Sequence, residues 1–197
     1  MRALVLSLLL AAAAQAETAT EALKARDAEI RAALPPQGTE PSPATRKQLE
    51  NIVTKAVDLD GMAKSALGKT WSETPPAKQK KFLEAFKGRF RKATSEQLDQ
   101  YRSTTIKYFP EKKEEDDTIV PTEVVVKGEP THIDYRMRQQ SGTWHIEDIV
   151  VDDVSTVENY RSSFNRIIKK EGMDGLIARL NGTGKVVDSG GSKGSSR

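Results

Sequence analysis

The sequence contains no cysteine among its 197 residues. This absence excludes a disulfide framework, zinc sites built on thiolates and catalysis by a thiol nucleophile. It also excludes an N-terminal lipidated cysteine, so we expect an unanchored protein. A charge excess of one sign is missing too, because Lys plus Arg total 31 and Asp plus Glu total 28. This balance argues against nucleic acid as a partner.

Recognisable catalytic chemistry is nearly absent. The chain has 2 histidines, His132 and His145, and both fall on the non-apolar phase of predicted strands, where exposure is commoner than a role as ligand or base. No G-x-S-x-G, H-E-x-x-H, P-loop or dinucleotide-binding motif occurs. The carboxylates of Asp152 and Asp153 precede a predicted helix start, where negative charge is favourable. We therefore predict no catalytic residue, no metal site and no cofactor.

Long apolar runs are missing except at the N-terminus. Arg2 precedes the apolar run Ala3–Ala14, and Ala14-Gln15-Ala16 has the A-x-A pattern of a signal-peptide cleavage site. A run of about a dozen residues is too short to span a bilayer. We predict export to the periplasm and three regions: a cleavable signal peptide at 1–16, a single domain at 17–182 and a disordered Gly/Ser-rich tail at 183–197.

Helical patterning occupies both ends of the predicted domain. Apolar residues recur there at steps of three or four, and several stretches begin at a capping residue or at a proline in the first turn. The predicted helices cover 18–34, 43–57, 58–67, 75–102, 155–172 and 174–180.

The middle of the domain has strand patterning. Four runs rich in β-branched residues, 105–109, 119–127, 132–138 and 143–151, are separated by turn-forming or charged segments, including a predicted solvated loop at 111–117. A change of phase at 149–151 indicates a bulge or a strand end. The order helices, strands, helices predicts an α+β fold, with a four-stranded antiparallel sheet and helices packed on one face.

The main remaining signal is apolar and aromatic. Large apolar side chains, among them Phe86, Tyr135 and Trp144, lie on the inward faces of the predicted helices and strands. Periodicity alone does not distinguish a packed core from the walls of a cavity, and an ordinary core is the commoner case.

Six segments of the chain, taken in order and with their spacing, form a recognisable pattern. They are Ala66–Trp71, Thr74–Pro75 with Phe82–Phe86, Thr118–Pro121, Trp144–Ser155, Asn159–Phe164 and Lys170–Leu176. This pattern resembles the MlaC-like family, the toluene-tolerance auxiliary family whose members shuttle phospholipid across the periplasm. One departure is Asp153, which stands where the family commonly has glycine.

The resemblance implies that the helices and sheet enclose an apolar cavity for phospholipid acyl chains, with the head group near solvent. Phospholipid would then be a transported ligand and not a cofactor. The pocket candidates are Leu83, Phe86, Phe90, Ile133, Tyr135, Met137, Trp144, Ile146, Phe164, Ile168 and Met173.

The resemblance also implies partners. We expect a monomeric carrier that exchanges phospholipid with an inner-membrane ABC transporter complex and an outer-membrane lipoprotein/porin complex. The residues alone leave two other functional classes open. One is a small periplasmic enzyme with a cone-shaped α+β pocket, and the other is a chaperone for lipoproteins or other proteins.

Overall fold

The computed structural model describes residues 17–36, 38–102, 104–126 and 128–183. The predicted signal peptide and all but the first residue of the predicted tail lie outside these ranges. The described helices and strands are α1 Ala19–Ala33, α2 Pro43–Ala56, α3 Leu59–Leu67, α4 Lys69–Glu73, α5 Pro76–Arg102, β1 Ile106–Tyr108, β2 Lys112–Glu114, β3 Asp117–Val126, β4 Glu129–Gln140, β5 Thr143–Val151, β6 Val154–Ser155 and α6 Thr156–Ala178, followed by a π-helical segment, Arg179–Thr183. None of these helices is long and apolar enough to cross a membrane.

Side-chain caps set the starts of four helices, α1, α2, α3 and α6. At α1, the Thr18 hydroxyl accepts a hydrogen bond from the Glu21 N–H at 3.1 Å, and the Glu21 carboxylate accepts one from the Thr18 N–H at 2.8 Å. Ser42 caps α2, and the Ser155 hydroxyl accepts from the Glu158 N–H at 3.0 Å to cap α6. Each cap satisfies a backbone donor that the helix itself leaves unpaired.

The helix α6 changes direction at Gly172. This residue has φ 70° and ψ −178°, a conformation outside the helical region that is nearly restricted to glycine. Helical structure then resumes through Ala178. The prediction that Gly172 ends one helix before a short final one is confirmed.

The strands form an antiparallel sheet in the order β1-β3-β4-β5-β6, with β2 also paired to β3. Val120 lies opposite Tyr135, and Met137 lies opposite Ile146 across the next ladder. Residues directly opposite one another point to the same face, so these apolar side chains share one side of the sheet. That side belongs to the same buried cluster as Phe86 of α5.

The predicted four-stranded sheet is wrong in strand number, because the described residues form six strands. The extra strand β2 lies inside the segment predicted as a solvated loop, and all of its residues are exposed. Main-chain pairing with β3 holds it without the apolar alternation that identifies a strand in sequence. The other addition, β6, has only 2 residues and forms a hairpin with β5 through Asp152 and Asp153.

The bulge predicted in the last long strand lies earlier than expected. Arg136 pairs with Asp148 and Met137 pairs with Ile146, so Glu147 is the extra residue on β5. The phase of β5 therefore changes at Glu147, and Ile149, which lies opposite Tyr135, points to the inner face as Ile146 does.

Candidate functional site

The side chains predicted to line a pocket come from two layers of the fold. All of them except Ile133 belong to the hydrophobic core or pack against it. The helical layer contributes Leu83, Phe86 and Phe90 from α5 with Phe164, Ile168 and Met173 from α6, and the sheet contributes Ile133, Tyr135 and Met137 from β4 with Trp144 and Ile146 from β5.

An aromatic cluster fills the centre of the helical layer. The rings of Phe86 and Phe164 lie edge to face with centroids 6.3 Å apart, and Tyr160 stacks on Phe164 at 5.4 Å. Phe82, which was not among the pocket candidates, completes the cluster at 5.7 Å from Phe164. The Phe-x-x-x-Phe spacing with Phe86 could have identified Phe82 as part of this cluster, since residues four apart share a helix face.

The candidate side chains differ in how much surface they leave open. Four are buried: Phe86, Met137, Ile146 and Phe164. The others keep part of their surface accessible, namely Leu83, Phe90, Ile133, Tyr135, Trp144, Ile168 and Met173. Half-buried apolar side chains are the ones that a ligand can cover without first displacing a neighbour. Their role as a lining stays a prediction.

A pair of tyrosines lies on the inner face of the sheet at the β1 side. Burial raises the pKa of Tyr135 to about 12, and the nearby Asp27 carboxylate adds to the shift. Burial likewise raises the pKa of Tyr108 to about 12, and the Tyr108 hydroxyl is buried without a hydrogen-bond partner. The Lys24 ammonium lies 5.1 Å from the centre of the Tyr108 ring. Tyr108 was not among the pocket candidates, although the alternation in β1 places it inward.

The indole of Trp144 holds the start of the described chain. Its Nε1–H donates a hydrogen bond of 2.8 Å to the backbone carbonyl of Glu17. Glu17 is the residue that would begin the mature protein if the signal peptide were removed after Ala16. The new N-terminus would therefore be tied to β5 beside Ile146.

A polar groove of about 450 Å³ lies beside α1, and no residue of the aromatic cluster lines it. Its cations are Arg26 of α1, Lys55 of α2 and Lys87 of α5. Its carboxylates are Asp58, which caps α3, and Asp60 in the first turn of that helix. The groove was not predicted, because its residues come from elements far apart in the chain.

A glutamine amide joins two carboxylates at one end of this groove. Gln140 Nε2 donates to Asp58 Oδ2 at 3.0 Å and to Glu147 Oε1 at 2.7 Å. Burial and the charge of Asp58 raise the pKa of Glu147. Burial also opposes ionisation of Asp58, but hydrogen bonds from the Gly61 N–H and from Gln140 outweigh it and lower the pKa of Asp58. The two carboxylates therefore differ in their readiness to ionise.

The two histidines lie apart. His132 is exposed on β4, and its backbone N–H donates to Asp152 Oδ1 at 3.0 Å. His145 is half-buried and lines the groove. Across the part of the chain that the structure describes, no group of three or more His, Cys, Asp or Glu residues is placed to hold a metal ion.

Comparison with models of known protein families shows to which family the chain belongs. The family model described as MlaC protein matches residues 24–182, which cover nearly the whole described domain. This chain belongs to the MlaC family. The resemblance inferred from the ordered segments is thereby confirmed, and the MlaC match includes every pocket candidate, from Leu83 to Met173.

A solved structure has the same fold as this MlaC-family chain. It is that of a phospholipid-binding protein from Ralstonia solanacearum in complex with a phospholipid, at 1.53 Å resolution. The two share 24% sequence identity over 83% of this chain and 94% of the other, with a TM-score of 0.72. The likeness supports the arrangement of helices over an antiparallel sheet described above.

Proposed function

We propose that this protein binds phospholipid by its acyl chains and carries it through the periplasm between membrane complexes. The observation that carries the proposal is the match of residues 24–182 to the MlaC family. The phospholipid in the structural neighbour from Ralstonia solanacearum supports the same ligand class here. Export by the predicted signal peptide at 1–16 would deliver the carrier to that compartment.

The acyl chains would lie between the helical layer and the inner face of the sheet. Half-buried side chains of both layers pack against the core and would line that space, with Leu83 and Ile168 on the helices and Tyr135 on β4. The fully buried pair Phe86 and Phe164 would form the base against which the chains end. An interior built from aromatic and aliphatic carbon suits acyl chains, since such sites bind mainly by apolar contact.

Transfer between membranes follows from the energetics of acyl chains in water. Burial contributes about 0.8 kcal/mol per methylene, so a chain of roughly sixteen carbons gains on the order of 12 kcal/mol before opposing costs. Release into water would therefore be slow. A carrier of this kind needs partners that offer the lipid another apolar path, and we propose the inner-membrane ABC transporter complex and the outer-membrane lipoprotein/porin complex for that role.

Native mass spectrometry of the mature protein purified from the periplasm tests the proposal. We expect adducts with the masses of intact phospholipids, and we expect them to exchange with labelled phospholipid from vesicles. A protein that carries no lipid and takes none up from vesicles would overturn the proposal. It would then favour the enzyme or the chaperone class, which do not require a bound lipid.

A further inference from the structure

The N-terminal half of α5 holds more positive charge than the chain as a whole. Residues 78–92 contain seven Lys and Arg side chains and a single carboxylate, that of Glu84, so this segment has a net charge of +6. Of the 31 Lys and Arg and the 28 Asp and Glu of the full chain, 24 and 27 lie elsewhere, so the other residues have a net charge of −3. A nearly neutral protein therefore contains one strongly basic helix.

The cations of α5 lie on the side of the helix that faces away from the core. Phe82 and Phe86 are 0% and 1% exposed and belong to the buried cluster. Positions 80, 84, 87 and 91 recur at steps of four, three and four, and positions 81, 88 and 92 form the adjoining row. Both rows lie opposite the two phenylalanines. The basic face is defined by the cations of these rows, Lys80, Lys81, Lys87, Arg91 and Lys92.

Most cations of the basic face have no partner. Lys87 is the exception, because its ammonium lies 2.8 Å from Asp60 Oδ1 of α3. The other four form no ion pair or hydrogen bond with any described residue. Gly88 lies between the two rows, and a Cβ added there would meet no other group within 4 Å. No element of the described chain therefore covers the helix at this point.

The composition of the basic face suits a charged membrane surface better than a protein partner. Four of its five cations are lysines, and the large apolar side chains that stay exposed in the described chain, Val125 and Val154, lie on β3 and β6. The centres of protein interfaces are depleted in lysine and enriched in aromatic side chains. Clusters of about four to eight Lys and Arg residues are instead typical of segments that bind anionic lipid surfaces.

We propose that the basic face of α5 docks the protein on membranes whose surface contains anionic phospholipid. The helix would lie along the membrane surface, with its basic face spanning about 18 Å, since an α-helix rises about 1.5 Å per residue. Docking is electrostatic and reversible, because the basic face has no apolar side chain to insert among the acyl chains. This surface adds to the proposed carrier a place of contact with the bilayer, and it does not depend on which lipid the interior holds.

Co-sedimentation of the mature protein with vesicles tests the docking surface. Vesicles of phosphatidylcholine with an equal share of phosphatidylglycerol provide the anionic surface, and vesicles of phosphatidylcholine alone provide the neutral one. Each cation near an anionic surface contributes about a fivefold factor in affinity, so Lys80→Gln combined with Lys81→Gln should weaken binding to the anionic vesicles roughly twentyfold. Raising the salt from about 0.1 M to about 1 M shortens the screening length from about 10 Å to about 3 Å and should abolish binding of the wild type.

The matched control is Lys112→Gln combined with Lys113→Gln. These adjacent lysines of β2 are exposed and form no ion pair within the described ranges, and the control removes the same charge from the sheet instead of from α5. We expect it to bind the anionic vesicles as the wild type does. Circular dichroism and the phospholipid content of both double variants verify that they are folded and that their interiors are unchanged.

Several results would overturn the docking surface. One is equal binding of the wild type to anionic and neutral vesicles. Another is an equal loss of binding in the two double variants, which would show a response to net charge alone. Binding to polyglutamate but not to anionic vesicles would assign the basic face to an acidic protein. Absence of bound lipid from the wild type would contradict the proposed function instead, while the vesicle comparison would still decide whether the basic face docks on membranes.

Discussion

Two consecutive aspartates form the turn between β5 and β6. Asp152 has φ 45° and Asp153 has φ 65°, so both lie in the left-handed region that two-residue hairpin turns require. Side chains other than glycine are strained there, although aspartate tolerates it better than most. Asp152 compensates by accepting a hydrogen bond from the His132 N–H.

We predict that Asp153→Gly stabilises the protein by about 0.5–1 kcal/mol, because glycine adopts a positive φ without the steric cost of a Cβ. Chemical denaturation of the purified domain measures the difference. Asp152→Gly is the matched control and should gain less, since it loses the hydrogen bond to His132 along with the strain. Equal effects of the two substitutions would contradict this account of the turn.

The two inward tyrosines predict an alkaline transition. Burial raises the pKa of Tyr108 and of Tyr135 to about 12, whereas an unfolded tyrosine titrates near about 10. The stabilisation that comes with the neutral phenols is present below about pH 10 and is lost as the pH rises towards about 12, because the unfolded chain then binds fewer protons.

We therefore expect the free energy of unfolding to fall between about pH 10 and about pH 12, and we expect Tyr135→Phe to flatten that fall. Denaturation curves across this pH range, with phenolate absorbance as the probe, measure both. An alkaline fall of the same size in Tyr135→Phe would contradict the assignment. Tyr108→Phe should in addition be more stable at neutral pH, since it removes a buried hydroxyl without a partner.

For single residues, the sequence indicated to which face a side chain points but not which residues it contacts. Alternation in β4 placed Tyr135 and Met137 inward, as the register confirms. The contact of Trp144 with Glu17 spans most of the chain, and the junction of Asp58 with Gln140 and Glu147 depends on a bulge. No local pattern encodes such pairs, because they arise only when distant elements meet.

Among the elements, two glycines on long helices have opposite roles. Gly172 in α6 has φ 70° and ψ −178°, and Gly88 lies within α5. Neither would place a Cβ within 4 Å of another group, so only backbone conformation distinguishes the two sites. We predict that Gly172→Ala costs about 1–3 kcal/mol and that Gly88→Ala contributes about 0.5–1 kcal/mol of stability. Thermal unfolding of both variants checks the signs, and a neutral Gly172→Ala would show that the break in α6 is not required.

The interface between α5, α6 and the sheet is where we place the acyl chains. We predict that Leu83→Asp and Ile168→Asp each lower the phospholipid content of the purified protein at least about tenfold, because a charge facing acyl chains loses its hydration. Extraction and mass spectrometry measure that content, and circular dichroism verifies the fold. Ile177→Asp is the matched control, since Ile177 is also half-buried against the core but was not a pocket candidate. Normal lipid content in folded Leu83→Asp and Ile168→Asp would place the acyl chains elsewhere.

The elements themselves could be predicted where local chemistry marks them. Caps at Thr18, Ser42 and Ser155 and the break at Gly172 set helix limits close to those observed. The strands with apolar alternation were predicted as well. The exposed strand β2 was missed, because main-chain pairing to a neighbour leaves no trace in hydrophobic periodicity.

For the whole molecule, bound lipid should contribute to stability. A ligand that binds only the folded state at about one hundred times its Kd adds about 2.7 kcal/mol, which for a domain of this size raises the Tm by about 5–10 °C. We predict that delipidated protein melts lower by that amount and recovers when phospholipid vesicles are added. Calorimetry before and after extraction measures the difference, and an unchanged Tm would indicate that the lipid makes few contacts specific to the folded state.

The family could be inferred from the whole sequence, whereas the interior could not. The order and spacing of the segments from Ala66 to Leu176 carried the resemblance, and the match over residues 24–182 confirms it. Side chains such as Phe86 and Phe164 give the same sequence pattern whether they fill a packed core or line a cavity. The difference lies in the spacing between layers, which depends on the fold and on what fills it.

The margins of the sheet have a consequence for contacts between copies. On one side the outermost strands β1 and β2 have 3 residues each, and on the other β6 has 2. On the same edge of β5 as β6, Val57 forms a β-bridge with Ile146, and the Asp58 N–H donates a hydrogen bond to the Ile146 carbonyl at 2.9 Å. Long unpaired strands invite edge-to-edge aggregation, and short or charged ones resist it. Within the described chain the sheet thus discourages addition of a strand from a second copy, which favours the predicted monomer.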